Sequence, residues 1–191
     1  MQPVPTEADK AYFREYFISL DQACEDTDWS IEDVRRWMAA GRLPRPSYVL
    51  DDGTEIVPPD YFDLVDEAGG IDELRGWFAE GFVGAGGAEA DLADEWDGYL
   101  SGLYGVCLKR VTPSNIVRKS RFVEEIDAML VEPRPEDPAW AEQLRVRVDA
   151  LDKLEKPFAP DYDAARLGQS SRDRCITKPR RRFPELFAVS V

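Results

Sequence analysis

The residues of this chain that are equipped for chemistry do not include histidine, because the sequence has none. That removes Ser-His-Asp and Cys-His catalysis, imidazole metal ligands and the commonest general base. Carboxylates, phenols, amines, guanidinium groups and thiols remain. Tyr104 and Cys107 are three residues apart, which places them on one face of a helical segment, and Lys109, Arg110, Arg118 and Lys119 follow as groups able to hold an anion. Asp161 and Asp163 flank Tyr162, and Asp51, Asp52 and Glu55 crowd a turn. A carboxylate pair does general acid–base work when burial raises one pKa. A thiol beside cations gains thiolate character when exposed.

Each group also has an ordinary explanation. Acids at a turn are solvated. Asp161 and Asp163 can pair with Arg166, Arg172 or Arg174. Cys107, between apolar neighbours, suits a buried inert thiol. The sequence therefore marks Tyr104, Cys107, Arg118, Asp161, Tyr162 and Asp163 as ligand-binding positions and assigns no catalytic residue. Cys24, Cys107 and Cys175 are widely separated and odd in number, so reduced thiols are expected, with no metal site and no cofactor.

Charge divides the chain. The net charge is −14. Between Asp51 and Leu100 there are fifteen Asp/Glu and one basic residue, Arg75. Between Arg166 and Phe183 there are seven Lys/Arg and one acid, Asp173. The acidic middle repels a phosphate backbone. The basic tail either attracts one or folds back onto acidic surface. No apolar run approaches a membrane span, and MQPVPTEADK lacks the pattern of a secretory leader, so the cytoplasm is the expected location.

The elements that must position these residues are mainly helical. Residues 7–18 carry Ala8, Ala11, Tyr12, Tyr16 and Phe17 at helical spacing. Ser19 and Ser30 each read as an N-cap, with Gln22 and Asp33 three residues on. The second of these helices turns Ile31, Val34, Trp37 and Met38 inward and stops at Gly41. SYVL-DDG-TEIV is a two-stranded hairpin, followed by a helix from Pro59 or Asp60 to Glu67. Beyond Gly69-Gly70 come helices over 71–82, 89–104, 112–130 and 137–155, with VGAGGAEA as a linker after the first. The expected division is a head over 1–70, a helical bundle packed on it over 71–157, and an extended, irregular basic tail over 158–191.

The helix ending in RRW, the GRLP exit and the hairpin followed by PPDYF resemble the winged helix-turn-helix head of MerR-type regulators and excisionases, from about Ser19 to Glu67. By that resemblance Arg35, Arg36 and Arg42 are the DNA-facing residues. The wing departs from it, with Asp51, Asp52 and Glu55 where phosphates would lie. Arg35 and Arg36 then have Glu32, Asp33 or the acidic middle as alternative partners. Over most of the chain, GRLPRPSYVLDDGTEIVPPDYF, YLSGLYGVCLKRVTPSNIVRK, EPRPEDPAW and PFAPDYDAARLG…SRDR resemble an uncharacterised actinobacterial family loosely labelled "natural product biosynthesis protein". Together these features imply a non-catalytic binding or accessory protein of bacterial specialised metabolism. Its partner is a protein or small molecule before DNA, no membrane is involved, and a homodimer is allowed for. A winged-helix transcriptional regulator and a small metal-independent biosynthetic enzyme are the alternatives.

Overall fold

The computed structural model describes residues 4–25 and 27–188, which form eleven α-helices and one three-stranded antiparallel sheet. Thr6 starts α1 (Glu7–Tyr16). Its hydroxyl accepts the Asp9 N–H, and the Asp9 carboxylate accepts the Thr6 N–H at 2.9 Å. The chain extends as β1 (Ile18–Ser19) and turns into α2 (Leu20–Glu25), where Ser19 Oγ accepts the Gln22 N–H at 3.0 Å. Ser30 caps α3 (Ile31–Ala39) by accepting the Asp33 N–H at 3.1 Å. Gly41, at φ +67°, takes the chain out of the helix.

The hairpin forms as expected. β2 (Tyr48–Val49) pairs with β3 (Glu55–Val57), with Tyr48 opposite Ile56. Gly53 turns at φ +84°, and the Asp52 carboxylate accepts the Thr54 N–H at 2.9 Å. A third strand completes the sheet. β1 lies on the far side of β3, with Ile18 opposite Val57, so the order is β1-β3-β2. Two residues are too few to display a strand's alternation, which is why this strand carries no sequence signal. The next helix, α4 (Asp63–Ala68), starts later than Pro59–Asp60 because turns occupy the residues between.

The helical part comprises α5 (Leu74–Gly84), α6 (Leu92–Leu100), α7 (Leu103–Cys107), α8 (Pro113–Val131) and α9 (Pro138–Leu154). VGAGGAEA is a close turn held against its neighbours. Arg121 donates to the Ala85 carbonyl at 3.1 Å, and Gly87 lies so near the Phe82 ring that a Cβ would stand 2.4 Å from it. The helix expected over 89–104 breaks at Gly102, φ +79°, and Leu103 just beyond the break is exposed. Trp140, Leu144, Val148 and Leu151 line the buried face of α9. After α7 the chain forms an isolated bridge, Leu108 opposite Glu155, tightened by the Lys156 N–H donating to the Cys107 carbonyl at 2.8 Å.

Over its described residues, 158–188, the tail is neither extended nor irregular; 189–191 lie outside them. It winds into α10 (Tyr162–Leu167), a π-helical turn over Asp173–Thr177, α11 (Lys178–Arg182) and a 3-10 turn over Pro184–Leu186. Its prolines read as breakers, but Pro179 and Pro184 each sit at the start of a helical piece, where the missing N–H costs nothing. Cys175, Ile176 and Phe183 are buried against Ile126 of α8 and the inner face of α9. Its arginines pair with acids of those helices: Arg174 with Asp127 at 3.0 Å, and Arg180 with both Asp149 and Asp152 at 2.9 Å.

One core runs through head and bundle. Leu20, Val34, Leu43 and Val57 belong to the same buried cluster as Leu74, Phe78, Tyr99, Leu108 and Ile116. The closest approach is made by glycines. A Cβ on Gly102 would stand 2.2 Å from the Arg45 carbonyl oxygen, and one on Gly105 would stand 2.2 Å from Ser47 Oγ and 2.9 Å from the Pro58 ring. Ser47 seals the junction by donating to the Gly102 carbonyl at 3.1 Å. Replacing Gly102 combines left-handed strain with overpacking, so Gly102→Ala is expected to lose about 3 kcal/mol of stability. Gly76→Ala, in α5 with open space around it, is expected to gain roughly 1 kcal/mol. Urea unfolding of both variants checks the pair, and a Gly102→Ala midpoint at the parent value would contradict the packing argument.

Candidate functional site

The outward face of α3 carries Arg35 and Arg36, and Arg42 follows at the helix exit. Each has a carboxylate partner. Arg35 bonds Glu55 of β3 at 2.7 Å, Arg36 pairs with Asp33, and Arg42 with Asp72. Such exposed pairs contribute little stability, on the order of 0–1 kcal/mol. They do reduce the positive field that a phosphate backbone would meet. Asp51 and Asp52 stand exposed at the hairpin turn, as expected from the sequence.

Beside this face lies an open groove of about 530 Å³ between α3, the strand β2 and α10. Arg35, Arg45 and Arg166 line it with one acid, Glu55, and Met38 and Val49 give it apolar surface. Arg166 donates to the Ser47 carbonyl at 3.1 Å and its guanidinium lies 5.4 Å from the Tyr48 ring centre. Neither Arg45 nor Arg166 carries a local sequence signal, since each acquires its position from the tertiary fold.

The six expected ligand-binding residues do not gather at one place: Asp161, Tyr162 and Asp163 stay together at the start of α10, apart from Cys107 in its own buried cluster. The Tyr104 hydroxyl bonds Glu95, and burial raises its pKa. Arg118 lies on the exposed side of α8. Asp161 and Tyr162 each donate a backbone N–H to the Asp9 carboxylate, at 3.0 and 3.2 Å. Asp163 is buried and accepts from the Tyr48 hydroxyl at 2.9 Å and the Ala159 N–H at 2.8 Å. Burial pushes the Asp163 carboxyl above its usual range. The Tyr12 hydroxyl lies close to this pair and makes no hydrogen bond of ordinary geometry. Asp9 is the anchor that pattern reading missed. Fully buried, it joins the start of α1 to the start of α10, and its only signal was the Thr6-x-x-Asp9 capping spacing.

Cys107 belongs to a different, buried polar cluster. Its Sγ is 3.0 Å from the Lys119 amine, which is 3.7 Å from the Glu155 carboxylate. Glu155 is fully buried and accepts from Ser171 at 2.6 Å. Burial raises the Cys107 thiol against the pull of Lys119, so it stays protonated near neutral pH, the condition of an unreactive thiol. For Lys119 burial works downward, but Cys107 and Glu155 outweigh it and the amine is raised. Lys156 completes the cluster. It is 3% exposed, its amine lies 4.1 Å from the Phe17 ring centre, and it has no hydrogen-bond partner. Asp60 and Cys107 are the titratable groups that act on it. Both Asp60 oxygens also lack partners, and burial raises that carboxyl. Among the described residues no group of three or more Cys, Asp or Glu is placed to hold a metal ion.

Lys156 gives this cluster a pH signature. Burial lowers its amine from 10.5 to about 8. Between those values the unfolded chain holds a proton that the folded chain has released, so stability rises with pH across that window. At roughly 1.4 kcal/mol per pKa unit, a burial penalty of about 3 kcal/mol acts below pH 8 and vanishes above 10.5. Urea unfolding near neutral pH and at about pH 9.5 is expected to show this rise in the parent chain and its absence in Lys156→Met. Parallel pH dependence in the two proteins would refute it.

No helix of the described residues is long and apolar enough to cross a membrane. The comparisons return no matching curated protein and no matching solved structure. A family model does match, over residues 74–184, from the start of α5 into the last turn of the tail. The chain belongs to that family, described as "Family of unknown function (DUF6058)".

Proposed function

We propose that this chain is a non-catalytic binding or accessory protein of bacterial specialised metabolism, whose winged-helix-like head contacts a protein or small-molecule ligand instead of DNA. The observation that carries this is the neutralised reading face. Arg35, Arg36 and Arg42 are each paired with a carboxylate, and the wing tip presents Asp51 and Asp52. A duplex laid on this face would have to break those pairs and approach two further acids, so little counterion release is left to drive binding. The placement in specialised metabolism rests on the sequence resemblance alone.

The regulator remains the second choice because of one observation. The order α1-β1-α2-α3-β2-β3, with the sheet running β1-β3-β2, supports the winged-helix reading on which the regulator rests. One experiment separates the two. In an electrophoretic shift with DNA from upstream of its own gene, at about 50 mM salt where phosphate contacts are strongest, the protein is expected to leave the DNA unshifted. A shift that weakens as salt is raised would overturn the proposal in favour of the regulator.

A further inference from the structure

We propose that the groove between α3, β2 and α10 binds an extended acidic peptide segment of a partner protein, laid along the free edge of β2. The inference rests on the head being a protein-contacting module and names the class of partner. Three observations carry it.

The first is charge. In a chain of net charge −14, this groove gathers Arg35, Arg45 and Arg166 against the single acid Glu55. Arg35 is spent on Glu55, whereas the exposed Arg45 guanidinium has no partner among the described residues. Arg166 is held at its post by the Ser47 carbonyl and the Tyr48 ring.

The second is the free strand edge. In the order β1-β3-β2, one side of β2 is unpaired. The Leu50 N–H donates to Thr54 at the hairpin end. By the alternation of an antiparallel ladder, the N–H and C=O of Val49 then point away from β3, where a further strand would pair with them.

The third is apolar surface alongside the charge. Met38 and Ala39 line the groove, and the Val49 side chain is 42% exposed. Alternating apolar and acidic side chains fit such a lining, one set on the hydrophobic strip and the other on the arginines.

The test uses the full chain and a fluorescently labelled alternating Val-Glu peptide, with Val-Lys peptide and a DNA duplex as competitors for the same surface, at about 50 mM salt. Saturable, salt-sensitive binding of Val-Glu is expected. Arg45→Glu and Val49→Pro are each expected to weaken it at least about tenfold, the second by removing the outward N–H from an edge strand that tolerates proline. Arg75→Glu, the same charge change on α5 away from the groove, is expected to leave it unaltered. Unchanged melting curves certify that the variants fold. Val-Glu binding no better than Val-Lys, or equal losses in Arg45→Glu and Arg75→Glu, overturns the groove assignment while the non-DNA function stands. Preferential, salt-sensitive binding of the duplex overturns both.

Discussion

The fold depends on how closely Gly102 and Gly105 let α7 approach the segment between α3 and β2. With no side chain at either position, the backbone of α7 reaches the Arg45 carbonyl, Ser47 and the Pro58 ring directly. Much else follows from that approach. It sets Ser101 and Arg45 on the same groove. It aims the chain after α7 at the end of α9, where the Leu108–Glu155 bridge forms. It also lets Leu43 and Val57 of the head share a core with Tyr99 and Leu108. About fifty residues of head would bury too little apolar surface to be more than marginal alone. The glycine contact makes its core continuous with a larger one.

Electrostatics in this chain is local. A net charge of −14 suggests a uniformly acidic surface, but the acids of α8 and α9 are partly consumed by the tail. Asp127, Asp149 and Asp152 take Arg172, Arg174 and Arg180. Arg42 similarly crosses to Asp72 and Arg110 to Glu67. Arginine suits such crossings because its rigid fork can satisfy two carboxylates at once, as Arg180 does. The positive charge left over is confined to a few places, and the groove beside β2 is one of them.

Long periodic elements were legible in the sequence. The helices expected over 112–130 and 137–155 form as α8 and α9, and the caps at Ser19 and Ser30 hold. These depend on neighbours within one turn, which a sequence displays. The hairpin was legible for the same reason, through Asp52-Gly53. Strand β1, the break at Gly102 and the folded tail were not. β1 exists because β3 offers it an edge. The break exists because the chain must turn against residues 45–47, which are far away in sequence. The tail is helical because Ile126 and the inner face of α9 wait to be covered by Ile176 and Phe183. The candidate sites obeyed the same division. Arg35 and Arg36 were found because they sit on one recognisable helix, while Arg45 and Arg166 were missed because only the tertiary structure puts them side by side.

The cluster around Lys156 shows why such placements resist local patterns. Lys156 follows α9, Cys107 ends α7, Lys119 lies within α8, Asp60 precedes α4, and Phe17 ends α1. No pair of them lies within one helical turn, yet their electrostatics are shared. Burial penalises every charge here, and each penalty is relieved only by a partner from another element. Lys119 stays charged because Cys107 and Glu155 surround it, whereas Lys156, with a ring below it and only more distant acids, is depressed instead. A one-turn slip of α9 along α8 would separate Glu155 from Lys119 and leave both charges buried without a partner. The polar cluster thus costs stability at neutral pH, and any shift that parted Lys119 from Glu155 would cost more.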